Sequence, residues 1–355
     1  MPLTIALPKT LFTVQALRAI AASAVVSYHV FFMLVHNAGY SLYVPEIGAT
    51  GVDLFFLISG FIMVYTNFGA FGQPGAPASF IRRRTIRIVP MYWICTTGVV
   101  VLLAFAPRLF SSVEFTWNYV ISSYVFLLSE NSAGQIGTVI QTGWTLCFET
   151  YFYILFAALL HWPRRYFLIA SGMIFASGVI LGNLVGHVPV WATVATDPIL
   201  LEFYLGAALA FLFVKGFALS RGAAIAAIVF GIIMLGATRN VNLGIWTRLV
   251  CSGLPYAAIL LGAISLERTG ITVPKLLVGL GASSYSLYLV HPFILPALGK
   301  LWLALHLSER TLPLILGLIA FCCALLVGHL AYLFIEKPVG NWLSQAWRAS
   351  KPSSF

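Results

Sequence analysis

An arginine and a histidine lie eleven positions apart in the first long apolar run of the 355-residue sequence, at Arg18 and His29. In an α-helix this spacing covers about three turns, so both side chains share one face, about 16 Å apart along the axis. A charge inside a bilayer costs about 2.5–3.5 kcal/mol on insertion scales and therefore marks a candidate functional site. The alternative roles are contact with lipid headgroups for Arg18 and packing for His29.

Three carboxylates lie at comparable depths in other apolar runs, at Asp53, Glu149 and Glu202. A carboxylate beside a histidine fixes its tautomer and stabilises the imidazolium, which suits general-base removal of a hydroxyl proton. The residues leave open which carboxylate reaches His29. For Asp53 and Glu202 the alternative is a helix-start position that the helix dipole favours.

Four arginines stand together between the second and third apolar runs, at Arg82, Arg83, Arg84 and Arg87. Topogenic charge and contact with lipid headgroups account for such a cluster on the cytoplasmic side. Guanidinium groups also match phosphate oxygens bidentately. The cluster is therefore also a candidate clamp for the phosphates of a ligand on this side of the membrane.

A second intramembrane histidine, His291, ends a polar stretch that includes Tyr288. Pro292 follows it, frees a backbone carbonyl and predicts a kinked helix. A polar, kinked helix in a membrane usually faces a cavity. We therefore expect His291 to border a cavity.

Membrane-spanning helices must position these residues. The sequence is 60% hydrophobic and 8% charged, whereas soluble proteins carry about 25% charged residues. Apolar runs of about 20 residues match spanning helices and are too long for barrel strands. The sequence thus predicts an all-α polytopic transmembrane bundle in a single domain, residues 1–355. Ten spans are expected, near 14–35, 51–68, 90–106, 142–160, 166–186, 199–215, 221–238, 247–266, 280–303 and 312–335.

The distribution of cations orients the predicted bundle. There are 20 Lys and Arg against 10 Asp and Glu, and the positive-inside rule explains this excess without nucleic acid as a partner. Cations cluster after the even-numbered spans and in the tail at Lys351, so both termini are predicted to be cytoplasmic. His29 then lies toward the far side. The alternate loops hold scattered cations such as Arg108, Arg239 and Arg310.

Several chemistries lose support because their motifs are missing from the sequence. There is no Walker A loop, HExxH, GxSxG elbow or dinucleotide GxGxxG. The five cysteines form neither a CxxC pair nor a zinc spacing. We therefore expect no metal site, and no ATP-driven, zinc-hydrolase or serine-esterase reaction.

The order of seven short motifs resembles the acyltransferase-3 family of integral-membrane acyltransferases. Within it, the chain is similar to the branch that acetylates bacterial exopolysaccharides such as succinoglycan. The resemblance covers about residues 13–342, and although each motif alone is weak, seven in the correct order are a strong signal. The matching stretches are 17–19 with His29, 51–56 with 58–61, 84–93, 144–149 with 152–153, 197–203, 286–291 and 336–338.

The resemblance implies an O-acetyltransferase of the bacterial inner membrane. Its donor is then acetyl-CoA, and its acceptor is a hydroxyl of a cell-surface carbohydrate or a lipid-linked saccharide. His29 becomes a general base or a transient acyl carrier, with Glu149 the first candidate to orient it and Asp53 the second. The residues assigned to the charged part of coenzyme A are Arg18, Arg84, Arg87 and Arg83, and those assigned to the substrate pocket are Trp144, Glu202, Tyr288 and His291.

Two alternatives to this function stay open at the level of the sequence. Polytopic chains with buried Arg, His and Glu often move ions or substrates, so a flippase or transporter for lipid-linked saccharides is one of them. Against it, the sequence shows no inverted repeat and no pair of broken helices. The other alternative is an acyltransferase with a different donor, such as succinyl-CoA, because no motif specifies the acyl chain.

Overall fold

A computed structural model describes Pro8 and residues 10–105, 116–307 and 312–349 of the protein. Arg108, Arg310 and Lys351, which entered the charge argument, lie outside the described residues. Within the described residues each predicted apolar run coincides with helix, which confirms the all-α class. The helices are α1 Phe12–His36, α2 Gly51–Asn67, α3 Ala76–Phe105, α4 Trp117–Tyr124, α5 Trp144–Leu159, α6 Phe167–Val185, α7 Val190–Thr196, α8 Leu200–Val214, α9 Arg221–Ala237, α10 Leu254–Glu267, α11 Lys275–Ala282, α12 Ser284–Ala304, α13 Pro313–Ala331 and α14 Lys337–Ala349.

Eight helical segments in the described part of the chain are long and apolar enough to cross a membrane. The two remaining predicted spans form shorter helices, with 16 residues in α5 and 17 in α9. The count of ten spans and the cytoplasmic termini therefore stay predictions.

Helices on the outside of the bundle expose large apolar side chains, such as Ile169 (62% exposed) on α6 and Leu314 (79%) on α13. Such surfaces suit contact with lipid.

Helix α3 begins at Ala76, well before the start near residue 90 that the apolar pattern predicts. The arginines at 82–87 interrupt the apolar run, but helical backbone hydrogen bonds do not require apolar side chains. The whole arginine cluster is therefore helical, and its side chains point in directions set by the helical period. Between α4 and α5 lies a small antiparallel pair of strands, β1 Ser129–Glu130 and β2 Ile136–Gly137.

Helix α2 is central and packs most extensively against α8. Glycines allow this close approach, because a Cβ atom at Gly60 would collide with the backbone of Phe203, and one at Gly206 with the carbonyl of Leu57. Small residues at helix crossings are the usual way in which membrane helices come into contact. The crossing brings the first turn of α8, which carries Glu202, against α2.

Helix α1 contacts the starts of both α2 and α12. The carbonyl of Ala21 lies against Gly51, and the guanidinium of Arg18 donates a hydrogen bond to Ser284 Oγ at 2.9 Å. The carbonyl of Gln15 lies against Gly281 at the end of α11. Because α1, α2 and α12 converge here, residues from the first and last thirds of the chain share one site.

Candidate active site

A cavity of about 280 Å³ lies between α1, α2, α3, α5 and α12. Its lining on α2 runs from Val52 to Thr66, a rise of about 21 Å at 1.5 Å per residue. One end lies beside Leu11, where α1 begins, and beside Thr66, where α2 ends. Under the predicted orientation this end faces the cytoplasm. At the other end lie Val52, Thr145 and Tyr288.

Three of the four arginines assigned to coenzyme A line the cavity: Arg18, Arg84 and Arg87. The guanidinium of Arg84 lies over the ring of Tyr153, 5.9 Å from its centroid, and Arg84 Nε has no hydrogen-bond partner. Arg87 is exposed and makes no hydrogen bond within the described part of the chain. The cavity wall therefore presents cationic donors that are available to an anionic ligand.

Arg83 does not line the cavity, unlike the other three arginines assigned to coenzyme A. Its guanidinium donates to Ser79 Oγ at 2.7 Å and to Asn67 Oδ1 at 2.8 Å. The helical period does not separate these residues, because Arg83 and Arg87 are four positions apart and lie on similar faces of α3. The two hydrogen bonds instead hold the Arg83 side chain at Ser79 and Asn67, whereas Arg84 and Arg87 line the cavity.

Glu149 lies in the cavity wall and accepts hydrogen bonds from its neighbours there. The Ser59 hydroxyl donates to Glu149 Oε1 at 2.9 Å, and the hydroxyl of Tyr153, one turn later on α5, donates to the same oxygen. Tyr153 also lies beneath the guanidinium of Arg84. Glu149 thus organises the wall beside the arginines. Ser59 and Tyr153 stand within the matched motifs, but the sequence analysis assigned them no role.

The structure corrects the expected pairing of His29 with a carboxylate. His29 Nδ1 lies 2.9 Å from the carbonyl oxygen of Val25, one turn earlier on α1. A carbonyl only accepts hydrogen bonds, so Nδ1 carries the proton and Nε2 keeps its lone pair. Glu149 bonds to Ser59 and Tyr153 instead, and Asp53 bonds to an arginine. The backbone therefore orients His29 with Nε2 free to act as a base.

His291 lies beside His29, with the two ring centroids 4.8 Å apart and the rings tilted by 61°. It is fully buried and does not line the cavity, contrary to the expectation from its kinked helix. Tyr288, one turn earlier on α12, does line it, and Thr145 Oγ1 donates to the Tyr288 hydroxyl at 3.2 Å. Helix α12 thus connects the end of the cavity that Tyr288 lines to the pair of histidines.

Asp53 and Glu202 converge on Arg248, a residue that the sequence analysis did not select. Arg248 Nε lies 2.7 Å from Asp53 Oδ1 and 3.8 Å from Glu202 Oε1. Both carboxylates are buried, and neither oxygen of Glu202 has a hydrogen-bond partner. Arg248 falls inside the predicted span 247–266. The rule that intramembrane charge marks a site could therefore have identified it.

Trp144 belongs to this second group of residues and not to the cavity. The guanidinium of Arg248 lies over the indole ring, 5.6 Å from its centroid. The ring packs edge-on against Phe56 and Phe148. We call Asp53, Trp144, Glu202 and Arg248 the Arg248 cluster. Apart from Arg83, the assigned residues thus divide between the cavity, the pair of histidines and the Arg248 cluster.

Known proteins match this chain in sequence over most of its length. The family model described as an acyltransferase domain matches residues 12–333. The chain is 35% identical over 312 residues to the exopolysaccharide production protein ExoZ of Rhizobium meliloti (strain 1021), covering 86% of this chain and 94% of that protein. It is 24% identical over 367 residues to the acyltransferase MdmB of Streptomyces mycarofaciens, covering 92% and 90% respectively. No solved structure matches significantly.

The family match spans most of the residues that form the three sites. It includes the cavity arginines, both histidines and the whole Arg248 cluster. The eight long apolar helices lie largely within the same range. The chain therefore belongs to the acyltransferase-3 family and is an O-acyltransferase of the membrane.

Proposed function

We propose that the protein transfers an acetyl group from cytoplasmic acetyl-CoA to a hydroxyl of a cell-surface carbohydrate, in the inner membrane of a bacterium. The observation that carries this proposal is the arginine-lined cavity between the helices of an acyltransferase-family chain. The name of the relative ExoZ, an exopolysaccharide production protein, favours an exopolysaccharide as the acceptor.

The shape and charge of the cavity suit an acyl-CoA. Its lining extends about 21 Å along α2, a length that suits a flexible arm ending in a thioester. Arg18, Arg84 and Arg87 supply donors for phosphate oxygens. Apolar side chains such as Ile62 and Met63 line the wall between them. When the arginines hold the phosphates of the acyl-CoA, its thioester end extends toward Tyr288 and Thr145.

The acceptor reaches the site from the opposite side under the predicted orientation. His29 lies about 16 Å farther along α1 than Arg18, and the Arg248 cluster lies where α2 and α8 begin. The side chain of Arg248 is 36% exposed, and the unpartnered oxygens of Glu202 can accept hydrogen bonds. We assign Trp144, Glu202 and Arg248 to the acceptor side, with Asp53 holding Arg248 in place.

His29 supplies the base for the transfer. Its Nε2 lone pair removes the proton of the acceptor hydroxyl, and the oxygen attacks the thioester carbonyl carbon. The carbon–sulfur bond breaks, and the thiolate of coenzyme A takes the proton from His29. The alternative course begins with attack by Nε2 itself and forms an acyl-histidine, which ping-pong kinetics would reveal. In either course Glu149 acts in the cavity wall, where it holds Tyr153 beside Arg84.

The test is the acetyl content of cell-surface polysaccharide, measured by proton NMR. Cells make wild type, His29→Ala, the control His329→Ala or no protein, and immunoblots report the protein in the membrane. His329 is an intramembrane histidine that contacts Ser283 and lies outside the cavity. We expect acetyl signals with wild type and with His329→Ala only. Full acetylation with His29→Ala would remove His29 from the chemistry.

Binding of acetyl-CoA to the purified protein separates the enzyme from a transporter. An acyltransferase binds acetyl-CoA, and Arg87→Gln weakens that binding because one phosphate ligand is lost. A transporter of lipid-linked saccharides has no need of this donor. If wild type shows neither acetyl-CoA binding nor polysaccharide acetylation, the proposal fails. Comparison of acetyl-CoA with succinyl-CoA in the same assay identifies the acyl group.

A further inference from the structure

Two histidine rings from distant parts of the chain are in contact at the proposed centre of the reaction. His29 is on α1 and His291 is on α12, and their ring centroids are 4.8 Å apart. Intramembrane ionisable residues are costly and mark function by default. A contact between two of them is therefore unusual, and packing alone does not require it.

Both rings are held in the same tautomer by their own helices. His29 Nδ1 donates to the Val25 carbonyl at 2.9 Å, and His291 Nδ1 donates to the Leu287 carbonyl at 3.1 Å. Each Nε2 atom consequently carries a lone pair and no proton. At rest neither Nε2 can donate a hydrogen bond to the other ring.

The resting state therefore leaves a buried acceptor without a donor. His291 is 0% exposed, and its Nε2 has no hydrogen-bond partner. Buried polar groups are normally paired, and an unpaired one in a native structure requires an explanation. The ring of His29, with its centroid 4.8 Å away, can supply a donor, because it becomes a donor at Nε2 once it takes a proton.

The protonated His29 also has no carboxylate partner in the described part of the chain. Glu149 bonds to Ser59 and Tyr153, and Asp53 and Glu202 face Arg248. An imidazolium in a membrane interior requires some compensation for its charge. Among the residues that the structure describes, His291 is the one aromatic ring from another helix that contacts His29.

We propose that His291 is the positioning residue for His29, accepting at its Nε2 the hydrogen bond of the His29 imidazolium. This inference rests on the proposed role of His29 as a base. When the acceptor hydroxyl gives its proton to His29 Nε2, the new oxygen–carbon bond forms and the carbon–sulfur bond breaks. While the charge exists, the Nε2–H of His29 forms a three-centre hydrogen bond with the acceptor oxygen and His291 Nε2, and the coenzyme A thiolate then takes that proton. Both histidines return to their starting tautomers.

This interaction exists only while His29 is protonated. It therefore stabilises the transition state and not the bound substrates, so its loss lowers kcat and leaves KM unchanged. A purely structural role for His291 predicts a different result, namely loss of protein from the membrane or parallel changes for every substitution. A role in binding the donor predicts a higher KM for acetyl-CoA.

The test uses inverted membrane vesicles that contain the full chain and the cell's own acceptor, with radiolabelled acetyl-CoA as the donor. Rates are normalised to the protein present, and kcat and KM for acetyl-CoA are determined for each variant. His291→Phe keeps a ring without an acceptor, whereas His291→Gln keeps an acceptor oxygen. His329→Phe is the matched control, and His291→Leu replaces His291→Phe if the latter does not reach the membrane.

We expect His291→Phe to lower kcat by about 10- to 100-fold, the effect of one hydrogen bond to a charged group. KM should stay within about twofold, and His291→Gln should recover most of the lost rate. The inference would be overturned if His291→Phe kept the wild-type kcat or changed only KM. Equal losses of kcat in His291→Phe and His291→Gln would also overturn it. Activity in His29→Ala, measured in parallel, would instead contradict the proposed function, so the two failures are distinguishable.

Discussion

Arg248 Nε lies 2.7 Å from Asp53 Oδ1, and the two residues are 195 positions apart in the sequence. The pair joins the first turn of α2 to the helical turn Leu249–Gly253 that precedes α10. Glu202, from α8, lies 3.8 Å from the same nitrogen. One guanidinium therefore holds together three segments of the chain at the same end of the bundle.

Removal of Arg248 should destabilise the protein strongly. Arg248→Gln leaves two buried carboxylates without their cation, and breaking a buried ion pair costs about 3–5 kcal/mol. The exposed Arg239→Gln should change stability by less than about 0.5 kcal/mol. Thermal unfolding of purified protein in detergent measures both. Equal midpoints for the two variants would show that the Arg248 cluster contributes nothing to stability.

Pairing in the Arg248 cluster can be isolated with a double-mutant cycle. We expect Asp53→Asn and Arg248→Gln to interact, so that the double variant loses less stability than the sum of the single losses. Strict additivity within about 0.5 kcal/mol would contradict the pair.

Substitution of a cavity arginine should weaken acetyl-CoA binding, whereas substitution of Arg83 should not. Arg18→Gln and Arg87→Gln each remove a cationic donor from the cavity, so the Kd for acetyl-CoA should rise about 10- to 100-fold. Arg83→Gln changes the same charge outside the cavity, where the side chain bonds to Ser79 and Asn67, and should leave the Kd within about twofold. Calorimetric titration with acetyl-CoA makes the comparison. A loss in Arg83→Gln as large as in Arg87→Gln would indicate a general effect of positive charge.

The effect of substituting Glu149 should depend on whether Tyr153 is intact and not on whether His291 is intact. Glu149 accepts from the hydroxyl of Tyr153, so the effects of Glu149→Gln and Tyr153→Phe on the Kd for acetyl-CoA should be non-additive by about 0.5 kcal/mol or more. The effects of Glu149→Gln and His291→Gln on turnover should add, because no contact joins Glu149 to either histidine. Strongly non-additive effects of Glu149→Gln and His291→Gln on turnover would instead indicate that Glu149 orients His29.

The close crossing of α2 and α8 should be intolerant of an added methyl group. A Cβ atom at Gly60 would collide with the backbone of Phe203, and overpacking costs about 1–3 kcal/mol. Nothing lies within 4 Å of a Cβ atom at Gly222 on α9, so Gly222→Ala should be neutral or stabilising by up to about 1 kcal/mol. Thermal unfolding in detergent compares the two alanine variants. Full stability of Gly60→Ala would mean that the helices can move apart without loss.

The class of structure followed from the sequence because the lipid environment leaves few options. With 8% charged residues and long apolar runs, every backbone amide has to be paired within its own helix. The shared face of Arg18 and His29 followed from helical periodicity, which is a local property. The order of short motifs indicated the family, which the family match over residues 12–333 confirms. None of these three inferences required knowledge of which helices are neighbours.

The tertiary structure decided the partners of these residues. His29 and His291 belong to opposite ends of the chain, and whether they meet depends on how the helices pack side by side. The same holds for Asp53 and Arg248. Local sequence carries no lateral information of this kind, because apolar helices in lipid have no hydrophobic preference for particular neighbours. Close packing at small residues and a few polar contacts select the arrangement, and they act only between helices that have already formed.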